Sequence, residues 1–564
     1  MRQGDSTGLG ADDLRPHGPA GDRTAPAGAG AQSASAPVPV TGRADGVGRE
    51  FWRISLEDLA TAMETRQSEY GNPDEPLKFK IYRGLPRRPL TTRLPAELGP
   101  VDAFDEPALS TLLHYGYGIS RQEFDTNGTW PYHRMVASAR CLFGVQLYVC
   151  LPDGVHHYDA PHHALVRLRE GDHRGLLTRA TGTGGPVPQA VFVLSGLFSK
   201  IAYIYRDYAY RLCTQEAGMV AGNLDLVARA MGLRAHVHHQ FLDEPVDKLL
   251  GLDGDEEPAL LVLPLHLAEA AAGADSTGPP VAETAASLAA TIEAIEPPVV
   301  PSGLRVPQAC PMLTRVNRSS LCTDTTGFTT AVPVAPAVSD AEPRPLPTTE
   351  VPEPGLAEVL RARDSGPGIF RPVASRVDGV ELWARLARIR AGIVSDAVPA
   401  GAPAPLEIFL TVGDLTGIPA GAYRLDPETG ALHPVARAET RGDAADAGLN
   451  AVTAIERVTI PGPVFTHMNA VVHLVGDRDW AFDTFGDRGY RVMNQEAGLL
   501  AHRICVAAAA QGMSGRIVNA YHAEGVRAAL GLTEQRHTPV FQILLARTGP
   551  GGRVIVPVEP EAVE

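Results

Sequence analysis

The chain has 564 residues, of which 44% are hydrophobic and 20% are charged. This length is too great for one hydrophobic core, so two globular domains joined by linkers are expected. The net charge of −15 argues against a dedicated nucleic-acid-binding protein, because such a protein needs a basic face for phosphates.

The N-terminal residues 1–48 are predicted to be a disordered tail. They are rich in Gly, Ala, Pro and Ser and lack the apolar core of a signal peptide. No segment offers the roughly 20 continuous apolar residues that a membrane-spanning helix needs. The six cysteines form no CxxC pair and no disulfide framework. We therefore expect a cytoplasmic protein without a membrane partner.

The remaining chain divides by composition into two blocks. The first block is predicted over residues 49–265 and ends in the apolar run ALLVLPL, which is typical of a buried strand. Residues 266–355 have the Ala- and Pro-rich composition of a linker, with a helix expected around 283–293. The second block is predicted over residues 356–550, and residues 551–564 are predicted to be a tail.

The two blocks repeat each other. Asp207–Gly232 and Asp487–Gly512 are identical at 11 of 26 positions, with a constant offset of 280 residues. Each copy is predicted to be one long helix, because apolar and mostly small residues recur at helical spacing. In the first copy these residues are Ala217, Ala221, Leu224, Ala228 and Met231. Two such helices in one chain favour an intramolecular pseudo-dimer.

Short apolar runs around these helices are typical of β-strands. They are VQLYVCL, AVFVLSG, LEIFLTV, NAVVHLV and FQILLAR. Helices that wrap a small mixed sheet in each half predict an α+β fold. Whether full-length chains pair further stays open.

The first block resembles the SagB-like (ThcOx-type) branch of the nitroreductase family, through the order of five segments. These are KIYRGLPRRPL, LLHYGYGISR, HRMVASARCLFGVQLYVCLPDGVHHYD, YRDYAYRLCTQEAGMVAGNLDLVARAMGL and LLGLDGDEEPALLVLPL. The second block resembles a degenerate copy, so the resemblance implies two tandem nitroreductase-like domains. Members of this branch are FMN-dependent dehydrogenases, and many oxidise thiazoline and oxazoline rings to azoles in ribosomally made peptides. The resemblance thus implies FMN as cofactor, a modified precursor peptide as substrate and a cyclodehydratase as a partner.

The resemblance also assigns residues of the first block to the flavin site. Arg134 and Ser138 match the family motif Arg-x-x-Pro-Ser-x-Gly-x-x-Tyr-Pro and are implied to contact the flavin. The proline, glycine and tyrosine of the motif are replaced, with Arg140 at the glycine position. Asn223 matches the asparagine of the family's Glu-Ala-Gly-His-x-x-Gln-Asn-Leu run.

The second block supplies a candidate phosphate site. In RARDSGPGIFRP, Arg361, Arg363, Ser365 and Phe370 resemble the Arg-Arg-Ser motif with which nitroreductases hold the FMN phosphate. Guanidinium groups and a hydroxyl suit a phosphate dianion. The resemblance therefore implies one composite flavin site that draws on both halves, and a second potential site that is degraded or empty.

One catalytic residue is implied. The Lys-Tyr pair that acts in azoline oxidation in this family falls on Ile204 and Tyr205, so the lysine is missing. A free tyrosine has a pKa near 10, and to act as a base Tyr205 needs a nearby cation such as Lys200, Arg206 or Arg140. The alternative is that Tyr205 is a packed aromatic with an exposed hydroxyl.

Other patterns indicate little. The run HVHHQ at residues 236–240 has no cysteine at ligand spacing and no HExxH helix beside it, so no metal is expected.

The favoured hypothesis is an FMN-dependent oxidoreductase that converts azolines to azoles. Two alternatives remain: a nitroreductase-like enzyme acting on a small molecule, and a catalytically impaired scaffold subunit of a peptide-modifying complex, which the missing lysine favours.

Overall fold

The computed structural model describes residues 46–58, 74–124, 130–267, 280–337, 341–347, 351, 354–402, 404–435, 452–459, 463–558 and 561–562. The predicted tail 1–48 lies outside these ranges apart from its last three residues, and helix α1 begins inside it at Val47. Residues Gly42–Glu564 cluster into one compact unit rather than into separate halves. No helix within the described ranges is long and apolar enough to cross a membrane.

The first half is built on a seven-stranded sheet, counted over the described residues. Its strand order is β1-β7-β6-β5-β8-β10-β9. The strands are β1 (Arg87–Pro89), β5 (Val145–Leu151), β6 (Gly154–Asp159), β7 (Ala164–Glu170), β8 (Ala190–Gly196), β9 (Leu233–Ala235) and β10 (Ala259–Leu267), while β2 (Arg93–Leu94), β3 (Ile119–Phe124) and β4 (Tyr132–Arg134) lie outside this sheet. Every residue of β5 and β8 is buried, as their unbroken apolar runs predict.

The helices of the first half precede and follow these strands. They are α1 (Val47–Trp52), α2 (Glu106–Tyr117), α3 (Arg174–Ala180), α4 (Ser199–Tyr205), α5 (Ala209–Ala230) and α6 (Asp243–Leu250). Helix α2 begins where the Asp105 carboxylate accepts a hydrogen bond from the Ala108 N–H, a standard N-cap. Helix α5 is the long helix that the repeat predicts.

The second half repeats this plan with a six-stranded sheet, again counted over the described residues. Its strand order is β13-β12-β11-β14-β16-β15. The strands are β11 (Leu406–Val412), β12 (Gly421–Leu425), β13 (Leu432–Pro434), β14 (Ala470–Asp477), β15 (Ser514–Val518) and β16 (His537–Ala546). Three short helices precede this half: α7 (Ala285–Ala290), α8 (Val306–Ala309) and α9 (Pro311–Ser319). The helices of the second half itself are α10 (Leu356–Ala362), α11 (Gly379–Arg388), α12 (Arg478–Phe485), α13 (Gly489–Ala509) and α14 (Ala523–Ala529).

The α+β class with two similar halves is confirmed, but one detail of the prediction is wrong. All described pairings within the two large sheets are antiparallel, not mixed. Short connections explain part of this result. Strands joined by a tight hairpin, such as β5 and β6, can pair only antiparallel, because parallel neighbours need a long crossover.

The two halves meet where α5 crosses α13. A Cβ atom added to Gly218 would lie 1.9 Å from the Gln495 carbonyl oxygen, and one added to Gly498 would lie 2.1 Å from the Gln215 carbonyl oxygen. Because Gly218 and Gly498 are separated by the repeat offset, the contact is the same on both sides. The helices therefore pack as the pseudo-dimer that the repeat predicts, backbone against backbone.

The described structure also differs from the predicted linker and C-terminal tail. Within 266–355, α9 buries Leu313 and Val316 against the core. Within 551–564, β17 (Val554–Pro557) pairs antiparallel with β3, and β18 (Glu561–Ala562) pairs parallel with β2. Composition alone missed these elements, because each is short and is held by tertiary contacts with the first half.

Candidate functional site

The motif that resembles the flavin-binding run forms a strained loop between β4 and β5. Ser138 Oγ donates to Glu216 Oε2 at 2.5 Å and accepts a hydrogen bond from the Phe143 N–H at 2.9 Å. Three residues that are not glycine, Arg140, Cys141 and Phe143, have φ values of 50°, 58° and 52°. Left-handed backbone at such residues costs energy and is concentrated at functional sites.

Glu216, at the centre of α5, holds this loop. Its Oε1 accepts hydrogen bonds from the Val145 N–H at 3.1 Å and from the Tyr117 hydroxyl at 3.2 Å. Burial raises the pKa of Glu216, although its hydrogen bonds, led by the one from Ser138, oppose the rise. The Ser138 hydroxyl is thus committed to positioning the loop.

Two arginines, one from each half, are buried beside this loop. Arg363 Nε donates to the Met135 carbonyl at 2.9 Å, and its Nη2 donates to the Arg134 carbonyl at 3.2 Å. The Arg134 guanidinium lies 4.2 Å from the centre of the Tyr117 ring. Arg363 is only 3% exposed and Arg134 only 6%. Within the described part of the chain, Arg363 Nη1 and Arg134 Nε have no hydrogen-bond partner. The charge of Arg134 acts on the buried Glu216, and that of Asp364 acts on Arg363.

Three further predicted residues make contacts within the protein. Asn223 Nδ2 donates to the carbonyls of Tyr115 and Gly116 at 2.8 and 2.7 Å, which holds the end of α2. Arg361 Nη1 donates to the Tyr115 hydroxyl at 3.0 Å. The carbonyl of Ser365 accepts from Arg516 Nε at 2.9 Å. The structure therefore brings Arg134, Ser138 and Arg363 together, whereas Asn223 serves the packing of the first half.

Tyr205 is the last residue of α4 and lies beside the strained loop. Arg140 Nε donates to the Tyr205 hydroxyl at 3.1 Å, so Arg140 is the cation, among those named from the sequence, that contacts it. Arg206 instead approaches Asp74 at 3.8 Å. Ile204, at the position of the family lysine, is buried.

Lys200, the remaining candidate cation, is buried and turned elsewhere. Its Nζ donates to the carbonyls of Leu77 and Lys78 at 3.1 and 2.7 Å and lies 4.4 Å from the centre of the Trp130 ring. Burial, with the nearby charge of Arg134, holds the pKa of Lys200 well below its ordinary value. Lys200 therefore fastens residues 77–78 to α4.

A pair of residues that the sequence reasoning missed shows how the two halves differ. Asn519 Nδ2 donates to Gln215 Oε1 at 2.7 Å, and His239 Nδ1 lies 2.8 Å from Gln495 Oε1. The repeat offset of 280 residues maps His239 onto Asn519 and Gln215 onto Gln495, so it was the signal that could have found them. Asn519 is half-buried, whereas His239 is 0% exposed. We call the half-buried position of Asn519 the open position and the fully buried position of His239 the closed position.

The closed position is filled by an ion pair. His239 Nε2 lies 2.7 Å from Glu496 Oε1, and both side chains are buried. Burial alone would lower the pKa of His239, but the hydrogen bond and the charge of Glu496 raise it. By the repeat offset, this pair is equivalent to Asn519 and Glu216.

The histidine run at 236–240 is used within the protein and forms no metal site in the described ranges. His238 Nδ1 lies 3.6 Å from Asp396 Oδ2, and the His236 and His238 rings stack with centres 4.2 Å apart. Burial would raise the pKa of Asp396, yet contacts with His238 and His239 lower it to about 2. No group of three His, Cys, Asp or Glu side chains among the described residues could hold a metal ion.

A cavity of about 230 Å³ lies beside the 361–365 segment. It is lined by Ala362, Asp364, Ala509, Gly512, Met513, Ser514, Thr548, Gly549, Pro550 and Arg553. The lining combines hydroxyl groups with one charged pair, so the cavity suits a polar group.

Comparisons with known proteins define the class of this fold. The model of the nitroreductase family matches residues 128–265, which include the strained loop, α4 and α5. A protein of Methanocaldococcus jannaschii named as a nitroreductase is 26% identical over 165 residues, which are 28% of this chain and 78% of that protein. Residues 128–265 of the first half are thus similar to the nitroreductase family.

One solved structure extends the likeness to both halves. A crystal structure from Anabaena variabilis named as a nitroreductase covers 89% of this chain and 100% of its own, with 19% identity and a TM-score of 0.65. One chain of the Escherichia coli microcin synthetase McbBCD complex, solved with truncated pro-MccB17 bound, covers 39% of this chain at 19% identity and a TM-score of 0.26. The protein is therefore a tandem nitroreductase-like fold.

The residues at the site fit the cofactor that this fold commonly binds. FMN carries a phosphate, and Arg134 Nε and Arg363 Nη1 are buried N–H groups without a hydrogen-bond partner among the described residues. A buried polar group without a partner is costly, so these two N–H groups suit an anionic ligand that accepts hydrogen bonds. The N–H groups that lack a partner would supply the hydrogen bonds.

Proposed function

We propose that this protein is an FMN-dependent oxidoreductase with one composite flavin site, open at Asn519 and closed at the equivalent His239. One observation carries the proposal: Arg363 of the second half is buried against residues 134–135 of the first half with an N–H that has no partner in the described chain. Neither half alone contains this arrangement.

Three arginines of this chain would hold the cofactor. Arg134 and Arg363 supply buried positive charge for its phosphate, and Arg140 is exposed at the rim of the same loop. When bound, FMN supplies the acceptor for a hydride. Ser138 and Glu216 do not need to touch it, because their hydrogen bond keeps the loop in its strained shape.

The proposed substrate is a thiazoline or oxazoline ring in a ribosomally made, modified peptide. Oxidation to the azole removes two hydrogen atoms, one leaving as a hydride and one as a proton. Tyr205 would take the proton from the ring carbon, and Arg140, which donates to its hydroxyl oxygen, would hold that oxygen in place. The order of the family segments in the first block supports this substrate, and a cyclodehydratase would supply the rings.

A second candidate function is a scaffold subunit of a peptide-modifying complex. One specific observation favours it: the position of the family lysine holds the buried Ile204, and Lys200, one helical turn earlier, is fastened to the carbonyls of residues 77 and 78. In that case Tyr205 and Arg140 would have no catalytic role.

The deciding experiment incubates the full-length protein with FMN and a synthetic thiazoline peptide and follows the peptide by mass spectrometry. Loss of two hydrogen atoms supports azoline oxidation. The variant Tyr205→Phe should lose about 10²-fold in rate or more while binding FMN normally, because it removes a proton-transfer group. Tyr423→Phe is the matched control, since that hydroxyl donates to the Pro419 carbonyl in the second half.

The other outcomes separate the alternatives. Turnover of a nitroaromatic compound but not of the thiazoline peptide would favour the small-molecule enzyme. A protein that cannot be loaded with FMN would contradict the proposal and favour the scaffold. An active flavoprotein with unchanged turnover in Tyr205→Phe would contradict the assignment of the base alone.

A further inference from the structure

Four charged side chains form a closed ring around the segment that carries Arg363. Arg121 donates to Glu123 at 3.3 Å and to Asp364 at 2.9 Å. Arg553 donates to the same two carboxylates, at 2.9 Å to Glu123 and 2.6 Å to Asp364. Each charge therefore contacts two opposite charges, and the ring is balanced. An isolated surface ion pair contributes little to stability, whereas several charges joined in a network contribute more.

The ring joins three distant parts of the chain. Arg121 and Glu123 belong to β3 of the first half, Asp364 lies between Arg363 and Ser365 of the second half, and Arg553 immediately precedes β17. Strand β17 pairs with β3 in register, with Ile555 opposite Glu123. The C-terminal segment thus returns to the first half and is fastened there by the ring.

The ring also reaches Arg363 itself. Arg121 Nη1 donates to the Arg363 carbonyl at 3.1 Å, and the Asp364 carbonyl accepts from the Gly515 N–H at 2.9 Å. The backbone of the segment is therefore fixed on both sides of the Arg363 side chain. Burial would raise the pKa of Asp364, but Arg553 and Arg121 lower it to about 2, so its carboxylate stays charged.

We infer that Asp364 and Arg553 are positioning residues, which hold the Arg363 guanidinium at the composite site and make its affinity for the cofactor depend on the C-terminal strand. This inference rests on the proposed function, because it concerns the same site. It assigns a role to residues 551–558, which cross from the second half to the first. It also explains why two acidic residues lie beside a site for an anion: each is neutralised twice by arginine.

The test uses the full-length chain and the variant Asp364→Asn, which keeps the shape but removes one charge. Two quantities are measured: the dissociation constant of FMN, from quenching of flavin fluorescence, and hydrogen–deuterium exchange over residues 554–557. We expect the dissociation constant of FMN to rise at least tenfold and the amide hydrogens of the strand to exchange faster. Asp255→Asn is the matched control, because Asp255 pairs with the largely exposed Arg318 at the surface.

A second, more conservative variant tests whether the changes arise from a folding defect. Arg553→Lys keeps the charge but loses the fork that contacts two carboxylates, so it should show the same two changes in weaker form. An unchanged FMN dissociation constant in both variants, with the wild-type protein binding FMN normally, would overturn the inference and leave the proposed function intact. A wild-type protein that binds no FMN would instead contradict the proposed function, and the inference with it.

Discussion

The crossing of α5 and α13 makes a sharp prediction for Gly498→Ala. The new Cβ would lie 2.1 Å from the Gln215 carbonyl oxygen, whereas ordinary contact begins at 3.4 Å, so the helices must separate by about 1.3 Å (3.4 − 2.1). Both contacting groups belong to long buried helices, and no flexible side chain can move aside. Overpacking of this kind costs roughly 1–3 kcal/mol.

The same substitution also brings a gain, which a control can measure. Replacing a helical glycine by alanine stabilises a helix by about 0.5–1 kcal/mol where space allows. Gly175 lies in α3 with no atom within 4 Å of its added Cβ, so Gly175→Ala shows the gain without the clash. Because both variants share this gain, Gly498→Ala should be less stable than Gly175→Ala by the overpacking cost of roughly 1–3 kcal/mol.

The assay is urea denaturation of both variants and of the wild type, followed by far-ultraviolet circular dichroism. A lower midpoint for Gly498→Ala and an equal or higher midpoint for Gly175→Ala are expected. Equal midpoints for the two variants would refute the close approach of the helices, and with it the pseudo-dimer packing. Gly218→Ala should behave like Gly498→Ala, because it meets the Gln495 carbonyl at 1.9 Å.

Two further predictions concern pH and the closed position. The pKa of Asp396 is lowered from its ordinary value to about 2. Its contribution of roughly 2–3 kcal/mol to the free energy of unfolding should therefore be present above about pH 4 and lost as the pH falls towards 2. Across that window, the urea midpoint of Asp396→Asn should change less than that of the wild type. The pKa of His239 is raised, so its contribution is complete below about pH 6.5 and lost as the pH rises through the folded-state value. His239→Phe leaves Glu496 buried without its partner and should cost about 3–5 kcal/mol at pH 6 and less at higher pH; a loss that did not depend on pH would contradict a charged pair.

Some elements of the fold could be predicted because their signals are local. The long helices carry stripes of small apolar residues that recur at a fixed offset, and β5 and β8 are unbroken apolar runs. Strand β17 could not be predicted, because four residues that include Pro557 form a strand only by pairing with β3. Helix α9 was missed for a related reason, since it lies in a segment whose composition is that of a linker.

The residues of the candidate site also differ in how far the sequence could predict them. Arg134 and Ser138 could be named from one short motif and Arg363 from a second, and their contact with the flavin stays a prediction. Asn223 matches its motif too, yet its amide holds main-chain carbonyls, a commitment that only the packing of α2 on α5 determines. The ring of Arg121, Glu123, Asp364 and Arg553 was not predictable, since its members come from three distant segments.

The asymmetry between the halves has a physical origin in single residues. At the equivalent positions, Asn519 is a short amide that is itself half-buried and contacts Gln215, whereas His239 is fully buried and contacts Glu496. The single charged contact between His239 and Glu496 is enough to close this position. The protein thus keeps the symmetry of the fold in its helices and departs from it at the site.

The most direct test of one composite site is the number of FMN molecules bound per chain. The purified protein is loaded with FMN, freed of excess and denatured, and the released flavin is counted against protein concentration. The account predicts about one FMN per chain, held at the open position. Two per chain would contradict the closed state of the His239 position, and none would contradict the composite site itself.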